Sequence, residues 1–147
     1  ILTVGTGSLA VATTARSFVP RSVPVTLPPP APVCGVTLTA LILSPQAGPR
    51  AVCFPYNLTN TGGTTEIYNV SIANITGPCG ALLFSGSLSC SGAPLTSFLT
   101  GSMAPSNITT FSLEHGPPAG GVCTVTIQAV STTNSSCSDT DITTTNS

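Results

Sequence analysis

Polar and apolar residues alternate along much of this chain with a period of two, which is the period of a half-buried β-strand. Strong alternation covers residues 36–42, 52–58, 68–72 and 123–129, and weaker candidates are 81–89, 96–100, 107–113 and 137–143. No segment has the 3.6-residue period of an amphipathic helix. Turns rich in Asn, Gly and Pro separate the stretches, so the pattern predicts an all-β sandwich or barrel.

The same alternation predicts which side chains form the core. The predicted core residues are Val52, Phe54, Tyr56, Leu58, Tyr68, Val70, Ile72, Val125 and Ile127. Asn57 and Asn69 fall on the opposite parity of their strands, so this register places both side chains in solvent.

The N-terminal region differs from the rest of the chain. Residues 1–19 are predicted to be an extended arm whose small apolar side chains share one face across a bulge; they are Leu2, Val4, Leu9 and Val11. Residues 20–32 hold six prolines and favour a stiff polyproline II spacer. Residues 33–147 form the predicted sandwich, with a frayed, Thr-rich end after Ile142.

Composition excludes several classes of partner. Charged residues make up 5% of the chain, there is no lysine, and the net charge is -1. Such a surface has no electrostatic footprint for nucleic acid. No apolar run approaches the ~20 residues of a membrane span. A charge-poor surface tends to associate, and self-association is the simplest case.

Six cysteines indicate disulfides, because none has C-x-x-C spacing and a single histidine makes a zinc site unfavourable. They are Cys34, Cys53, Cys79, Cys90, Cys123 and Cys137. Three intrachain bonds are expected, with Cys79–Cys90 the first choice and Cys53 joined to Cys123 or Cys34. Disulfides imply an oxidising, extracellular location. The start at Ile1 is interpreted as the removal of a signal sequence.

Five Asn-x-Ser/Thr motifs are candidate N-glycosylation acceptors; their asparagines are Asn57, Asn69, Asn74, Asn107 and Asn134. In a chain this rich in Asn, Ser and Thr, several such motifs also arise by chance. The motifs alone therefore leave modification open.

Two stretches carry a resemblance to a known family. FPYNLTNTGGTTEIYNVSI (54–72) and PPAGGVCTVTIQAVS (117–131) resemble the hairpin and late strand of the Ig-like conserved repeats of bacterial surface proteins. The resemblance implies a secreted Ig-like β-sandwich used as a stalk, adhesin or fibre element. The detached N-terminal arm is similar to subunits of donor-strand-exchange pili, in which such an arm completes another subunit. The six cysteines depart from the repeat family.

Candidate catalytic motifs are weak. Val4 to Ala10 matches G-x-G-x-x-A, but prolines follow where a dinucleotide fold needs a helix. His115 with Asp139 or Asp141 is formally a Ser-His-Asp set, yet no G-x-S-x-G elbow accompanies it. The two aspartates are too few for Ca²⁺. We therefore expect a loop histidine and a protein that is not an enzyme, with no catalytic residue, cofactor or metal.

Three functions are compatible with these patterns. The first is the structural subunit of an extracellular, pilus-like filament, in which the arm of one copy inserts into another. The second is a monomeric secreted adhesin or carbohydrate-binding module, with a surface glycan or host receptor as partner. The third is a secreted hydrolase, which would need a pocket around His115.

Overall fold

A computed structural model describes residues 24, 27, 33–48, 50–116 and 121–147. The chain divides into two units, Ile1–Pro30 and Ala31–Ser147, and every strand given below belongs to the second. The predicted arm and most of the predicted spacer lie outside the described residues. The domain boundaries expected from the sequence therefore remain predictions.

Nine β-strands and no helix occur in the described ranges. In chain order they are β1 (Val36–Ala40), β2 (Gln46–Ala47), β3 (Val52–Asn60), β4 (Tyr68–Thr76), β5 (Gly80–Ser85), β6 (Ser97–Leu99), β7 (Ile108–Gly116), β8 (Val122–Ser131) and β9 (Ser138–Asn146). Gly77 turns the chain between β4 and β5 with φ of 103°, a conformation that costs glycine little.

The strands form two sheets that face each other, which is the predicted Ig-like β-sandwich. One sheet has the order β1-β3-β7-β5 and the other has β2-β9-β8-β4-β6. All pairings between neighbouring strands are antiparallel except β2 with β9. The first two strands therefore belong to different sheets: β1 to the four-stranded sheet and β2 to the five-stranded sheet.

The predicted core lies between the two sheets. Alternate residues of β3 and β8 are fully buried, and their neighbours face outward. Aromatic rings extend the contact across strands: Tyr56 stacks on Phe111 with centroids 5.1 Å apart, and Phe98 meets Phe111 edge-on at 5.5 Å. Of the nine predicted core residues, Val52 and Ile72 are partly buried and the other seven are buried.

The predicted register is confirmed at both asparagines. Asn69 is exposed, and Asn57 lies on the outward parity of β3, half-buried between β1 and β7. A β-bulge in β4 then shifts the parity between Ile72 and Asn74. As a result, Asn74 joins Asn69 on the outer face of the five-stranded sheet although the two are an odd number of residues apart.

The expected fraying after Ile142 is wrong. β9 continues to Asn146 and pairs with β8 along its whole length. Thr143 and Thr145, the last two inward residues of β9, are buried. The sequence predicted a weak strand over 137–143 but not its continuation to Asn146, because the inward positions there carry hydroxyls rather than apolar groups.

Two disulfides are present, Cys53–Cys90 and Cys79–Cys123. The predicted Cys79–Cys90 bond is therefore wrong, and so is a bond from Cys53 to Cys123 or Cys34. Cys53 lies on the outward parity of β3, where the chain after β5 crosses the sheet and brings Cys90 to it. Cys123 points inward from the other sheet, so the first sheet separates it from Cys53. Cys34 and Cys137 are thiols.

Candidate interaction edges

The predicted polymer-contact residues Leu2, Val4, Leu9 and Val11 lie outside the described residues. The complementary half of such a contact would be an open sheet edge on the body. An edge strand presents unpaired N–H and C=O groups that another strand can bind. The four strands at the sheet margins are β1, β5, β2 and β6.

In the part of the chain that the structure describes, the backbone of β9 before Thr144 has no strand on the side away from β8, although β9 is not formally the last strand of its sheet. Among the described residues, β2 is the strand that lies beside it on this side, and β2 pairs only with Thr145 and Asn146. Thr144 directs its backbone groups to this open side, where its N–H donates to Ser44 Oγ at 2.8 Å. Since these directions alternate along a strand, Thr140 and Ile142 direct theirs to the same side.

We call the outward backbone groups of residues 138–143 the β9 edge. Ile142 adds an apolar side chain there that is 58% exposed. The edge is therefore about six residues long, which matches the usual length of a β-strand.

Two inward carboxylates occupy the opening between β9 and β1. Asp139 Oδ2 accepts a hydrogen bond of 2.7 Å from the N–H of Leu38 in β1. Asp141 Oδ2 accepts one of 2.7 Å from the hydroxyl of Tyr56, whose pKa is raised by burial and by this carboxylate. Asp139 thus caps the β1 edge, a device that natural sheets use against unwanted pairing. No side chain of the described residues caps the backbone of residues 138–143 in this way.

The opposite side of the sandwich is partly closed by the chain itself. Leu83 of β5 exchanges two backbone hydrogen bonds of 2.8 Å with Leu95. The neighbouring edge strand β6 is three residues long. These edges offer less continuous backbone than the β9 edge does.

A cavity of about 340 Å³ lies where β3 begins, β7 ends and β5 begins. Its lining residues are Ala51, Gly80, Ala81, Leu82, Glu114, His115 and Gly116. The cavity borders His115, as the hydrolase hypothesis requires. However, the described residues of its lining include no Ser, Thr or Cys that a histidine base would activate.

His115 is a buried residue of β7, so its expected position in a loop is wrong. It is 1% exposed and stacks on Phe54 with ring centroids 4.8 Å apart. Its Nε2 lies 2.7 Å from Thr143 Oγ1, and its Nδ1 lies 3.3 Å from Cys123 Sγ and 3.4 Å from Thr145 Oγ1. Burial lowers the pKa of His115 to about 4. The ring is therefore a neutral part of the core at neutral pH.

The residues of the formal triad are not brought together. His115 contacts hydroxyls and a disulfide sulfur, whereas Asp139 and Asp141 are bound to Leu38 and Tyr56. Within the described ranges, no three His, Cys, Asp or Glu side chains form a group that could hold a metal ion. None of the described residues forms a helix long and apolar enough to cross a membrane.

Acidification is expected to destabilise the fold through His115. Its folded-state pKa lies below its ordinary value, so the unfolded chain binds a proton that the folded core does not. The stability contributed by the neutral ring is present above the ordinary pKa of about 6.5 and is lost as pH falls toward 4. The expected loss of unfolding free energy between pH 7 and 4.5 is about 2 kcal/mol. Urea titrations at these two values would measure it.

His115→Gln is the matched control because glutamine keeps a polar group but does not titrate. Glu66 also contributes to acid sensitivity: hydrogen bonds from Ser131, Thr133 and Thr64 lower the pKa of its carboxyl. That contribution is present in both proteins. An equal pH dependence of wild type and His115→Gln would contradict the assignment to His115.

The candidate glycosylation sites differ in exposure. Asn69, Asn74, Asn107 and Asn134 are exposed, whereas Asn57 is half-buried. Asn74 Nδ2 lies 3.4 Å from Thr76 Oγ1 of its own motif. Modification of all five remains a prediction, and Asn57 is the least accessible.

No family model matches the sequence, and no curated protein matches it. The chain is similar to three solved structures at low identity. The CARDB domain of a Pyrococcus furiosus protein is 11% identical, with 78% of this chain and 89% of that one covered and a TM-score of 0.43. The ASH/PapD-like domain 7 of human CEP192 is 17% identical, with 83% and 87% covered and a TM-score of 0.43. The N-terminal domain of PorA is 11% identical, with 76% and 98% covered and a TM-score of 0.45.

Sequence reasoning missed the β9 edge. The available signal was the alternation of Asp139, Asp141, Thr143 and Thr145, whose polar side chains share one face.

Proposed function

We propose that this protein is a structural subunit of an extracellular filament and that the arm of one copy adds a strand to the β9 edge of another. The observation that carries the proposal is that no strand of the described residues pairs with residues 138–143 on the side away from β8. The two disulfides are consistent with an extracellular location.

The contact would use β-strand addition. Main-chain hydrogen bonds from Thr140 and Ile142 would supply affinity, and alternate side chains of the arm would contact the surface beside them. Leu2, Val4, Leu9 and Val11 are the side chains proposed for this role.

Polymerisation follows from the asymmetry of this contact. An arm and an edge are different surfaces, so the contact is head-to-tail and yields a fibre when the rotation does not close. The Pro-rich residues 20–32 would hold the arm away from its own body. The alternative is that the arm pairs with the β9 edge of the same copy, which would give a monomer suited to the adhesin or carbohydrate-binding function.

Deleting residues 1–19 is expected to abolish filaments in electron micrographs and to leave a folded body. The arm supplies one half of the proposed contact, while the described core lies wholly in the later unit. Near-ultraviolet circular dichroism would verify folding. A truncated protein that still polymerised normally would eliminate arm exchange, and a full-length protein that sedimented as a monomer would favour the adhesin.

Thr140→Pro tests the receiving edge separately. The N–H of Thr140 points away from β8, so proline removes the outward donor without removing a bond to β8. We expect filaments to be lost in Thr140→Pro and retained in Thr140→Ala, which keeps the N–H. If both variants polymerised normally, the β9 edge would not be the acceptor, whatever the outcome of the deletion.

A further inference from the structure

The two cysteines outside the disulfides meet at one end of the sandwich. Cys34 lies just before β1 and is partly exposed, and Cys137 lies just before β9 and is buried. Asn134 is hydrogen-bonded to both residues, through its side chain to Cys34 and through its backbone to Cys137. Each cysteine also packs against the same core. Two neighbouring thiols are the starting arrangement for a disulfide.

Asn134 positions the segment around Cys137 by several hydrogen bonds. Its backbone C=O accepts the N–H of Cys137 at 2.9 Å, and its Nδ2 donates to Cys34 Sγ at 3.5 Å. Its Oδ1 accepts the N–H of Ser136 at 3.1 Å. The N–H of Ser131 donates to the C=O of Cys137 at 2.9 Å, which completes the turn between β8 and β9.

The backbone on the Cys34 side is anchored too. The C=O of Gly35 accepts the hydroxyl of Tyr68 at 2.8 Å and the N–H of Thr61 at 3.0 Å. The C=O of Val33 accepts the N–H of Gly63 at 2.9 Å. Both chain segments are thus fixed by hydrogen bonds next to the thiols.

We propose that Cys34 and Cys137 form a third disulfide, which joins the start of the sandwich to the β8–β9 turn. This bond would tie the first sheet, through β1, to the second sheet, through β9. It would also close a larger loop than either existing disulfide, because its cysteines lie near the two ends of the sandwich in sequence.

The reaction is thiol–disulfide exchange with a small disulfide oxidant. The Cys34 thiolate attacks one sulfur of the oxidant, forms a mixed disulfide and expels one thiolate. Cys137 then loses its proton, attacks Cys34 Sγ and expels the second thiolate. Two electrons pass from the cysteines to the oxidant, and the two protons released appear on its two thiols.

The order of attack follows from exposure. Cys34 is the more accessible thiol. Burial is the larger cause, and the neighbouring Cys34 the smaller one, that together raise the pKa of Cys137 to about 12. Cys137 therefore reacts poorly with an external reagent and acts as the resolving thiol inside the protein. The pair should accordingly close within one chain and not between chains.

The test uses the native full chain and oxidised glutathione. Before oxidation, two thiols per chain should be alkylated by iodoacetamide in denaturant. After oxidation, both should be protected, and peptide mapping without reduction should recover one peptide pair that contains Cys34 and Cys137. The melting temperature should rise on oxidation of wild type and stay unchanged in Cys34→Ser/Cys137→Ser, which has no thiol to oxidise.

Three outcomes would overturn the proposal. The first is that both thiols remain open to alkylation after oxidation. The second is a stable glutathione adduct on Cys34 with a free Cys137. The third is a disulfide-linked dimer on a non-reducing gel. The single variant Cys137→Ser should give one of the latter two products, and it shows how an unresolved Cys34 behaves.

Discussion

Replacing Phe54 with Ala is expected to lower the free energy of unfolding by about 3–5 kcal/mol. Phe54 is fully buried in β3, which lies between β1 and β7 in its sheet. Its ring stacks on His115 at an interplanar angle of 8°, and its strand partner is the buried Leu113. Truncation to Ala would leave a void in the core beside β1 and β7. That void could not close unless both sheets shifted.

Urea unfolding at neutral pH measures this loss, and Leu99→Ala is the matched control. Leu99 belongs to the edge strand β6 and is 63% exposed. Its truncation should change stability by no more than about 0.5 kcal/mol, as for most surface positions. Similar losses for the two variants would mean that Phe54 does not hold the core together.

The sandwich was predictable where apolar residues mark the inward positions. In β3 and β8 the inward positions carry aliphatic, aromatic or cysteine side chains, except for the last inward residue of each strand, Asn60 and Ser131. Every outward position is polar or less buried. One of the two possible registers of such a strand buries its apolar side chains, and the other exposes them to solvent. The sequence alone therefore determines which face of the strand is inward. This argument predicted the positions of Asn57 and Asn69 as well as the core.

The same reasoning failed where inward positions are polar. The inward side chains of β9 are Asp139, Asp141, Thr143 and Thr145. Their polarity gave only a weak strand prediction up to residue 143 and a prediction of fraying after Ile142. Their burial depends on partners from distant strands: Leu38 and Tyr56 for the carboxylates and His115 for the threonines. Local periodicity contains no information about such partners, which explains why the β9 edge and the buried histidine were both missed.

The disulfide pairing was not predicted correctly from the sequence for a related reason. Six cysteines allow 15 pairings, and short sequence separation favoured Cys79–Cys90. The observed bonds instead follow the face on which each side chain lies: Cys53 and Cys90 meet outside the first sheet, and Cys79 reaches the inward Cys123. The predicted register already put Cys53 on the outward parity of β3 and Cys123 on the inward parity of β8, which argues against a bond between them.

Replacing both Cys79 and Cys123 with Ala is expected to lower the free energy of unfolding by about 4 kcal/mol through the unfolded chain alone. Their disulfide spans a sequence separation of 44 and connects β8 to the segment that enters β5, which means that it joins the two sheets. Cys123 is also fully buried against His115. The variant therefore loses packing in addition to the chain constraint, and urea unfolding would measure the sum.

Cys53→Ala/Cys90→Ala separates these two contributions. Its disulfide has a sequence separation of 37, so the loss from the unfolded chain should be nearly the same. Cys53, however, lies on the outer face of its sheet, where truncation leaves no comparable void in the core. The Cys79/Cys123 variant should therefore be the less stable of the two. If the Cys53/Cys90 variant were equally or more destabilised, the inward position of Cys123 beside His115 would contribute nothing beyond the crosslink.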